Sequence, residues 1–239
     1  MTLPRLVALT GAGVSAASGV PTFRSAEGGL WRRHRPEELA TPSAFARDPA
    51  LVWEFYDWRR QLIAGCRPNP AHLTLAEMDA LLPHFTLITQ NVDGLHHQAG
   101  SRRVLCLHGD IWWLKCSRCH YREENHTVPL RPLPPLCPCC EAYLRPDVVW
   151  FGEALSPSVL SRATEACAEA DILLVIGTSA LVYPAAQLPF YTLQHRGRVY
   201  EFNTEPTPLS GHVTESILGP CEETLPAWWC DFQNEYGLA

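Results

Sequence analysis

The feature that most constrains this fold is a short apolar segment that runs directly into a glycine-rich turn. Residues 6–10 read Leu-Val-Ala-Leu-Thr, and Gly11, Ala12, Gly13 and Val14 follow without a spacer. A continuous apolar run of this length is typical of a parallel strand buried on both faces. A glycine turn between such a strand and a helix lets the backbone approach a phosphate closely. We therefore predict a turn that binds the pyrophosphate of a dinucleotide.

Similar apolar runs recur along the chain and alternate with helical patterns. The runs cover residues 85–89, 172–176 and 199–202, and helical patterns cover 156–168 and 184–194. Alternating strands and helices are typical of an α/β fold with a parallel sheet, whose ligands bind at the carboxyl ends of the strands. The predicted fold class is therefore α/β, with a Rossmann-like sheet.

Four cysteines have the spacing of a zinc ribbon. Cys116 and Cys119 form one C-x-x-C pair and Cys137 and Cys140 a second, with seventeen residues between the pairs. Two such knuckles place four thiolates around one tetrahedral ion and leave no open position for water. Cys139 leaves the ligand choice open, although the two-residue spacer favours Cys140. We predict one structural Zn²⁺.

Two segments interrupt the alternation of strands and helices. One is Trp-rich and helical in pattern, and the other contains the four cysteines. We interpret both as a smaller module inserted into the sheet domain. The whole chain, 1–239, is then one catalytic core, with the sheet domain at about 1–25, 83–111 and 146–239 and the small module at about 26–82 and 112–145.

A second polar motif follows the predicted strand at 85–89. Gln90, Asn91 and Asp93 place two amides and a carboxylate within four residues, which is too polar for the end of a core strand. His108 ends another apolar run and is a candidate general base, because the pKa of histidine lies near neutrality. For any single histidine, simple packing is the alternative. Together these residues indicate chemistry performed on the bound dinucleotide.

A hydride-transferring dehydrogenase is an alternative, because the first turn also fits G-x-G-x-x-A. Such an enzyme should carry an acidic residue at the end of a second strand about 20 residues later. Residues 29–34 instead read Gly-Leu-Trp-Arg-Arg-His. This weakens the dehydrogenase hypothesis. A turn that only packs a helix on a strand is a further alternative, and Arg24 argues against it because arginine suits a phosphate.

Composition limits the partners and the location. The formal net charge is −6, which gives a nucleic-acid partner no overall electrostatic attraction. No apolar run reaches the roughly 18–20 residues needed to span a bilayer, and the strand pattern begins too early to leave room for a signal peptide. We expect a cytoplasmic protein without a nucleic-acid or membrane partner.

Taken together, the motifs resemble the sirtuins, the NAD-dependent protein lysine deacylases. The matching segments occur in family order over roughly residues 5–225. Besides the cysteines and His108, they are 11–15, 18–24, 89–96, 145–153, 177–179 and 203–205. The resemblance implies that NAD is the co-substrate, acylated lysines in proteins are the substrates, and the chain acts as a monomer.

The resemblance also implies an NAD site. The turn at Gly11 to Gly13, with Ser179 and Arg24, would hold the pyrophosphate, and Asn203, Glu205 and Cys221 would lie at the adenosine. Gln90 and Asn91 would hold the nicotinamide ribose. The complete implied set is Gly11, Ala12, Gly13, Thr22, Phe23, Arg24, Trp31, Gln90, Asn91, Val92, Asp93, Gly177, Thr178, Ser179, Asn203, Thr204, Glu205 and Cys221.

The implied catalytic residues are His108, Asn91, Gln90 and Asp93. The acyl amide oxygen would attack C1′ of the nicotinamide ribose and expel nicotinamide. His108 would then deprotonate a ribose hydroxyl, which would attack the imidate carbon, so that lysine leaves and O-acyl-ADP-ribose follows. The substrate backbone would pair as an added strand with Val149, Trp150, Phe151, Gly152 and Glu153.

Tyr56 and Arg59 are the residues that we predict to recognise the acyl group. They lie one helical turn apart, in a context that resembles the sirtuin subgroup that removes succinyl and malonyl groups, and Thr22 fits the same subgroup. Arg59 suits a carboxylate and the Tyr56 hydroxyl can add a hydrogen bond. The alternatives are a plain lysine deacetylase, a mono-ADP-ribosyltransferase using the same site, and a non-catalytic zinc-ribbon module or NAD sensor.

Overall fold

A computed structural model of the protein describes residues 2–21 and 36–238. Short 3-10 helices cover Ala12–Ser18 and Ala185–Gln187. In chain order the other elements are β1 (Leu6–Thr10), α1 (Pro36–Leu39), α2 (Pro42–Arg47), α3 (Pro49–Ala64), α4 (Pro70–Leu81), β2 (Phe85–Thr89), α5 (Leu95–Gln98), β3 (Val104–Cys106), β4 (Gly109–Cys116), β5 (Arg122–Glu124), β6 (Leu144–Val148), α6 (Pro157–Ala168), β7 (Ile172–Ile176), α7 (Leu188–Gln194), β8 (Arg198–Asn203), β9 (Glu215–Leu218) and α8 (Cys221–Tyr236).

Six strands form one parallel sheet in the order β3-β2-β1-β7-β8-β9, which confirms the predicted α/β fold class. From the central β1 the strand order runs outward in opposite directions. The register pairs Thr10 with both Thr89 and Ile176. Three strand ends therefore lie side by side at the topological switch point, where a parallel sheet binds its ligands.

The central strand is buried on both faces, as its uninterrupted apolar sequence predicts. Leu6 and Ala8 pack on one face together with α4 and α8, and Val7 and Leu9 pack on the other together with α6 and α7. Successive side chains of a strand point to opposite faces. A five-residue apolar run therefore contributes to two cores at once.

Within the predicted small module, the helix α4 shares the core of the sheet domain. Ala71, Leu75 and Met78 pack with Leu6 and Leu87 of the sheet. The other helices and a three-stranded antiparallel sheet, β5-β4-β6, build a separate core around Trp53, Ile111 and Trp150. The domain boundaries given above remain predictions.

Three helices on this side of the molecule begin at a proline behind a polar capping residue. Thr41, Asp48 and Asn69 each accept a hydrogen bond from the backbone of the first turn of α2, α3 and α4. Proline is favoured at the first helical position because the N–H it lacks would have no partner in the helix. The single helix predicted at 184–194 is instead a 3-10 turn followed by α7, which begins at Leu188 and has Pro189 in its first turn.

None of the helices in the described ranges is both long and apolar enough to cross a lipid bilayer.

A glycine test follows from the geometry next to His108. Gly109 has φ +81°, and a Cβ there would lie 2.0 Å from the carbonyl oxygen of Asp147, whereas Gly100 has φ +103° with open space around it. We expect Gly109→Ala to lower the free energy of unfolding by at least about 3 kcal/mol, and Gly100→Ala by only about 1–2 kcal/mol of backbone strain. Urea unfolding of both variants measures the difference, and equal losses would contradict the packing argument.

Candidate active site

Two glycine loops approach each other closely at the switch point. A Cβ at Gly11 would lie 2.7 Å from the Cβ of Thr178, and one at Gly13 would lie 2.8 Å from the Cα of Gly177. The Gly11 N–H donates to the carbonyl of Ile176 and the Gly13 N–H to that of Gly177. These two amides are therefore already paired. The glycines allow the two loops to approach closely, and pyrophosphate binding by the turn stays a prediction.

Polar side chains connect the ends of β2, β7 and β8. The Nε2 of Gln90 donates to the Thr178 hydroxyl at 3.0 Å, and the Nδ2 of Asn203 donates to the Thr178 carbonyl at 2.9 Å. Gln90 and Thr178 are 88 positions apart in the sequence. The fold thus brings together three of the predicted cofactor-binding residues, Gln90, Thr178 and Asn203.

His108 is half-buried and held in a defined tautomer. Its Nδ1 lies 2.9 Å from the carbonyl oxygen of Gln90, which can only accept, so Nδ1 carries the proton. Nε2 is then the basic nitrogen. Burial lowers the pKa of His108, and the bond to Gln90 opposes this shift. The ring is therefore neutral near pH 7 and able to take a proton.

The Ser15 hydroxyl is the hub of a buried hydrogen-bond network. It donates to the Oδ2 of Asp93 at 2.7 Å and accepts from the Nδ2 of Asn91 at 3.1 Å. The Nε2 of His72 lies 3.3 Å from the same oxygen, and the Nδ1 of His72 accepts from the backbone of Asn69. His72 therefore donates to Ser15, and the hydroxyl proton is directed to the carboxylate.

Burial sets the charge states around this network. It raises the pKa of Asp93, although bonds from the Leu95 amide and from Ser15 oppose the shift. Burial lowers the pKa of His72 to about 4, which keeps that ring neutral at pH 7. A fixed neutral histidine gives the serine hydroxyl a single orientation. The carboxylate and amide of the predicted Asn-Val-Asp motif are consequently held in place.

Sequence reasoning missed Ser15 and His72 as members of the site. Ser15 lies in the first glycine turn, so its presence was visible but its role was not. His72 lies in α4, 57 positions away, and only the packing of that helix against the sheet reveals it. A buried histidine in an otherwise apolar helix face is the one available signal.

Of the remaining predicted cofactor residues, some lie in the described part of the chain and four lie outside it. Val92 follows Asn91, and its carbonyl accepts from Ile111; Cys221 begins α8, with its thiol 3.8 Å from the carbonyl of Gly13. Ser179, Thr204 and Glu205 lie in the loops that follow β7 and β8. Thr22, Phe23, Arg24 and Trp31 lie outside the described residues.

The segment predicted to add a substrate strand, 149–153, is a turn. The Val149 N–H donates to the carbonyl of His108, the Phe151 N–H to that of Ala40, and the Glu153 N–H to that of Trp150. These three amides have partners within the chain, and pairing of the segment with a substrate backbone stays a prediction. The turn does lie next to His108, and the Phe151 side chain is exposed.

A buried ion pair closes this turn. Arg145 donates to both carboxylate oxygens of Glu153, at 2.6 and 2.9 Å, and its guanidinium carbon lies 3.3 Å from the Trp150 ring centroid. The Glu153 carboxylate also accepts from the Trp150 amide at 2.9 Å. Bidentate arginine–carboxylate pairs fix both groups in one plane, which explains why a turn forms where a strand was expected.

The turn is also joined to α3 by one hydrogen bond. Trp150 Nε1 donates to the Tyr56 hydroxyl at 2.9 Å, and both side chains are buried. Burial raises the pKa of Tyr56 to about 12, so the phenol stays neutral. Because the hydroxyl oxygen accepts from tryptophan, its own proton is directed elsewhere.

Four thiols form a group of the size that a zinc ion requires. The sulfurs of Cys116, Cys119, Cys137 and Cys140 all lie within 4.8 Å of one another, with the closest pairs at 3.5 and 3.6 Å. A tetrahedral site with zinc–sulfur bonds of about 2.3 Å needs edges of about 3.8 Å. Cys139 is exposed and outside this group, so the geometry selects Cys140 as the fourth ligand.

Comparison with known proteins gives consistent matches. The model of the Sir2 family matches residues 11–184. An NAD-dependent protein deacylase from Aquifex aeolicus (strain VF5) is 54% identical over 205 residues, covering 86% of this chain and 85% of the relative. NAD-dependent protein deacylase 1 from Pseudomonas aeruginosa PAO1 is 47% identical over 233 residues, covering 93% and 92%.

Solved structures agree with these relatives. A Sir2 homolog crystallised in complex with NAD superposes with a TM-score of 0.92 at 47% identity, covering 96% of this chain and 90% of that one. A Sir2 complex with the inhibitor EX-527, 2′-O-acetyl-ADP-ribose and a deacetylated p53 peptide gives 0.82 at 30% identity, covering 98% and 94%.

Removal of one thiol tests the metal group. We expect Cys119→Ser to lose bound zinc and to lower the melting temperature, because three ligands no longer close the site. The matched control is Cys139→Ser, which changes the exposed neighbour and should retain about one zinc per chain. Metal analysis and thermal unfolding of both purified variants measure this. An equal loss of zinc in the control would show that Cys139 is a ligand.

Proposed function

This chain belongs to the Sir2 family and is an NAD-dependent protein deacylase, and we propose that it acts preferentially on lysines carrying an acidic acyl group, succinyl or malonyl. The observation that carries the proposal is the arrangement of Tyr56, Arg59 and Trp150. It supplies a neutral hydroxyl donor and a cation on one face of α3, beside the turn that adjoins His108.

The Tyr56 hydroxyl is prepared to donate. Its oxygen accepts from Trp150 Nε1 at 2.9 Å, which leaves its proton for another acceptor. With the pKa raised to about 12 by burial, the group does not ionise at neutral pH. A neutral phenol next to a carboxylate gives a favourable hydrogen bond, whereas a phenolate would repel it.

Arg59 supplies the positive charge. Burial lowers the pKa of Arg59, and electrostatic interactions with Tyr56 and Asp93 oppose that shift. A guanidinium stays charged in proteins. Arg59 lies three positions after Tyr56 in α3, which places the two side chains on one face of that helix.

The acyl preference follows from hydrogen-bond chemistry. A succinyl or malonyl group presents a carboxylate that can accept from both Arg59 and Tyr56, and an acetyl group presents a methyl that can accept from neither. A charge-assisted hydrogen bond contributes about 1.5–3 kcal/mol, which corresponds to a preference of about 10- to 150-fold.

For the reaction, we propose that NAD lies along the carboxyl edge of the sheet, as supported by the NAD complex of the Sir2 homolog. Gln90 and Asn91 would orient the nicotinamide ribose, Val92 and Asp93 would receive the nicotinamide, and His108 would accept a proton from a ribose hydroxyl at Nε2. The relatives' names support deacylation and do not favour mono-ADP-ribosyl transfer.

Substitution of the two pocket residues tests the acyl preference. We expect Arg59→Met to lower the ratio of kcat/KM for succinyl-lysine over acetyl-lysine peptides by about 10- to 150-fold, and Tyr56→Phe to lower it less, because the phenol that it removes carries no charge. The ratio is measured by mass spectrometry of the free peptide. Arg47→Met, on an exposed residue of α2, is the matched control. An unchanged ratio in Arg59→Met would refute the acyl preference while leaving the deacylase activity intact.

The pH dependence tests the role of His108. A general base must be neutral, so activity falls as the pH drops through its pKa. Since burial lowers that pKa, the acid limb of kcat/KM should have an apparent pKa below the usual 6.5. His108→Ala should reduce kcat/KM by about 10²- to 10⁴-fold and abolish this limb. An acid limb at or above pH 6.5 would argue against His108 as the titrating base.

A further inference from the structure

One face of α3 is anchored to the cysteine-containing segment, both between the two cysteine pairs and just beyond the second pair. Trp53, Asp57 and Arg60 lie at the spacing of a single helix face. Trp53 Nε1 donates to the carbonyl of Leu144, four residues beyond the last cysteine of the group. The other two residues hold the segment 125–131, which we call the inter-knuckle loop.

Asp57 binds the end of the inter-knuckle loop. Its Oδ1 accepts from the Leu130 amide at 2.7 Å, and its Oδ2 accepts from Arg131 Nη1 at 2.9 Å and Gln61 Nε2 at 2.9 Å. The side chain is almost completely buried. A carboxylate so placed fixes the distance between the helix and the loop.

Arg60 binds the start of the same loop. Its Nη2 donates to the backbone carbonyl of Asn125 at 2.5 Å, to the Asn125 side chain at 2.7 Å and to the Thr127 carbonyl at 3.3 Å. Arg60 has no exposed surface, and within the described part of the chain its Nε and Nη1 have no hydrogen-bond partner. A buried cation with two unsatisfied nitrogens is a poor way to stabilise a core, since an apolar residue of similar size often does as well.

Arg60 also reaches the Asn-Val-Asp motif through Trp112. The guanidinium lies 5.3 Å from the Trp112 ring centroid, and His126 of the inter-knuckle loop stacks on the same indole at 5.1 Å. Trp112 Nε1 donates to the backbone carbonyl of Asp93 at 2.8 Å. One indole thus connects the loop, the helix and the proposed nicotinamide side of the site.

We propose that Arg60 and Asp57 are positioning residues for acyl selectivity: they hold α3 against the inter-knuckle loop so that Tyr56 and Arg59 meet the acyl carboxylate. This rests on the proposed acyl preference. Arg60 adjoins Arg59 and lies four positions after Tyr56, so a displacement of the helix at Arg60 moves both recognition groups. A charge-assisted hydrogen bond depends strongly on distance and angle. Recognition of an acetyl methyl does not depend on it.

A double-mutant cycle tests this coupling. We expect Arg60→Met to raise the KM for a succinyl-lysine peptide at least about tenfold while kcat/KM for the acetyl-lysine peptide stays within about threefold. In a background that carries both Arg59→Met and Tyr56→Phe, Arg60→Met should change the succinyl-to-acetyl ratio no further, because both groups through which it acts are gone. Glu54→Gln, on the exposed face of α3, is the control and should leave the ratio unchanged.

The outcomes separate this proposal from the one on which it rests. If Arg59→Met collapses the ratio and Arg60→Met does not, the positioning role is wrong and the acyl preference stands. If Arg60→Met reduces succinyl and acetyl turnover equally, the residue is only structural and the proposal fails. Zinc content and thermal unfolding show whether each variant is folded. If Arg60→Met is unfolded, Asp57→Asn, which keeps the shape of the side chain, is measured in its place, and an unchanged ratio overturns the proposal.

Discussion

The site depends on the hydrogen bonds made by one buried hydroxyl group, that of Ser15. It joins a carboxylate and an amide from the loop after β2 to a neutral histidine from α4. Because the carboxylate and the histidine are buried, loss of one bond would leave a polar group without compensation, which is costly in a low-dielectric interior. The parallel sheet makes the arrangement possible, since it brings the ends of β1, β2 and β7 together. The glycines then allow the loops after β1 and β7 to approach each other closely enough for this arrangement to form.

A second constraint separates recognition from catalysis. The residues that would hold NAD lie on the sheet domain, whereas Tyr56 and Arg59 lie on α3 of the smaller core. Contacts between the two parts include the hydrogen bond from Trp112 Nε1 to the Asp93 carbonyl and the one from the Val149 N–H to the His108 carbonyl, whereas the bond from Trp150 to Tyr56 lies within the smaller core. Acyl selectivity can therefore change by repacking α3 while the catalytic base and its tautomer stay as they are.

Much of the fold was predictable because buried parallel strands have a simple sequence signature. The runs at 6–10, 85–89 and 172–176 became β1, β2 and β7 with the same bounds, and the four cysteines came together as their spacing indicated. The choice between Cys139 and Cys140 needed geometry. Cytoplasmic location and a monomeric state stay predictions.

Other features could not be predicted because they depend on contacts between distant residues. The Ser15–His72 bond depends on α4 packing against the sheet, and the turn at 149–153 depends on the Arg145–Glu153 pair. In the sequence alone, Arg60 resembles any solvent-exposed helical arginine, and only its burial in the structure distinguishes it from one.

The most direct test of the account is the acyl preference of the unmodified enzyme. Purified protein is incubated with NAD and matched acetyl-, malonyl- and succinyl-lysine peptides, and free peptide and O-acyl-ADP-ribose are quantified by mass spectrometry. The account predicts kcat/KM for the succinyl or malonyl peptide at least about tenfold above that for the acetyl peptide. Acetyl turnover equal to or faster than both would contradict it.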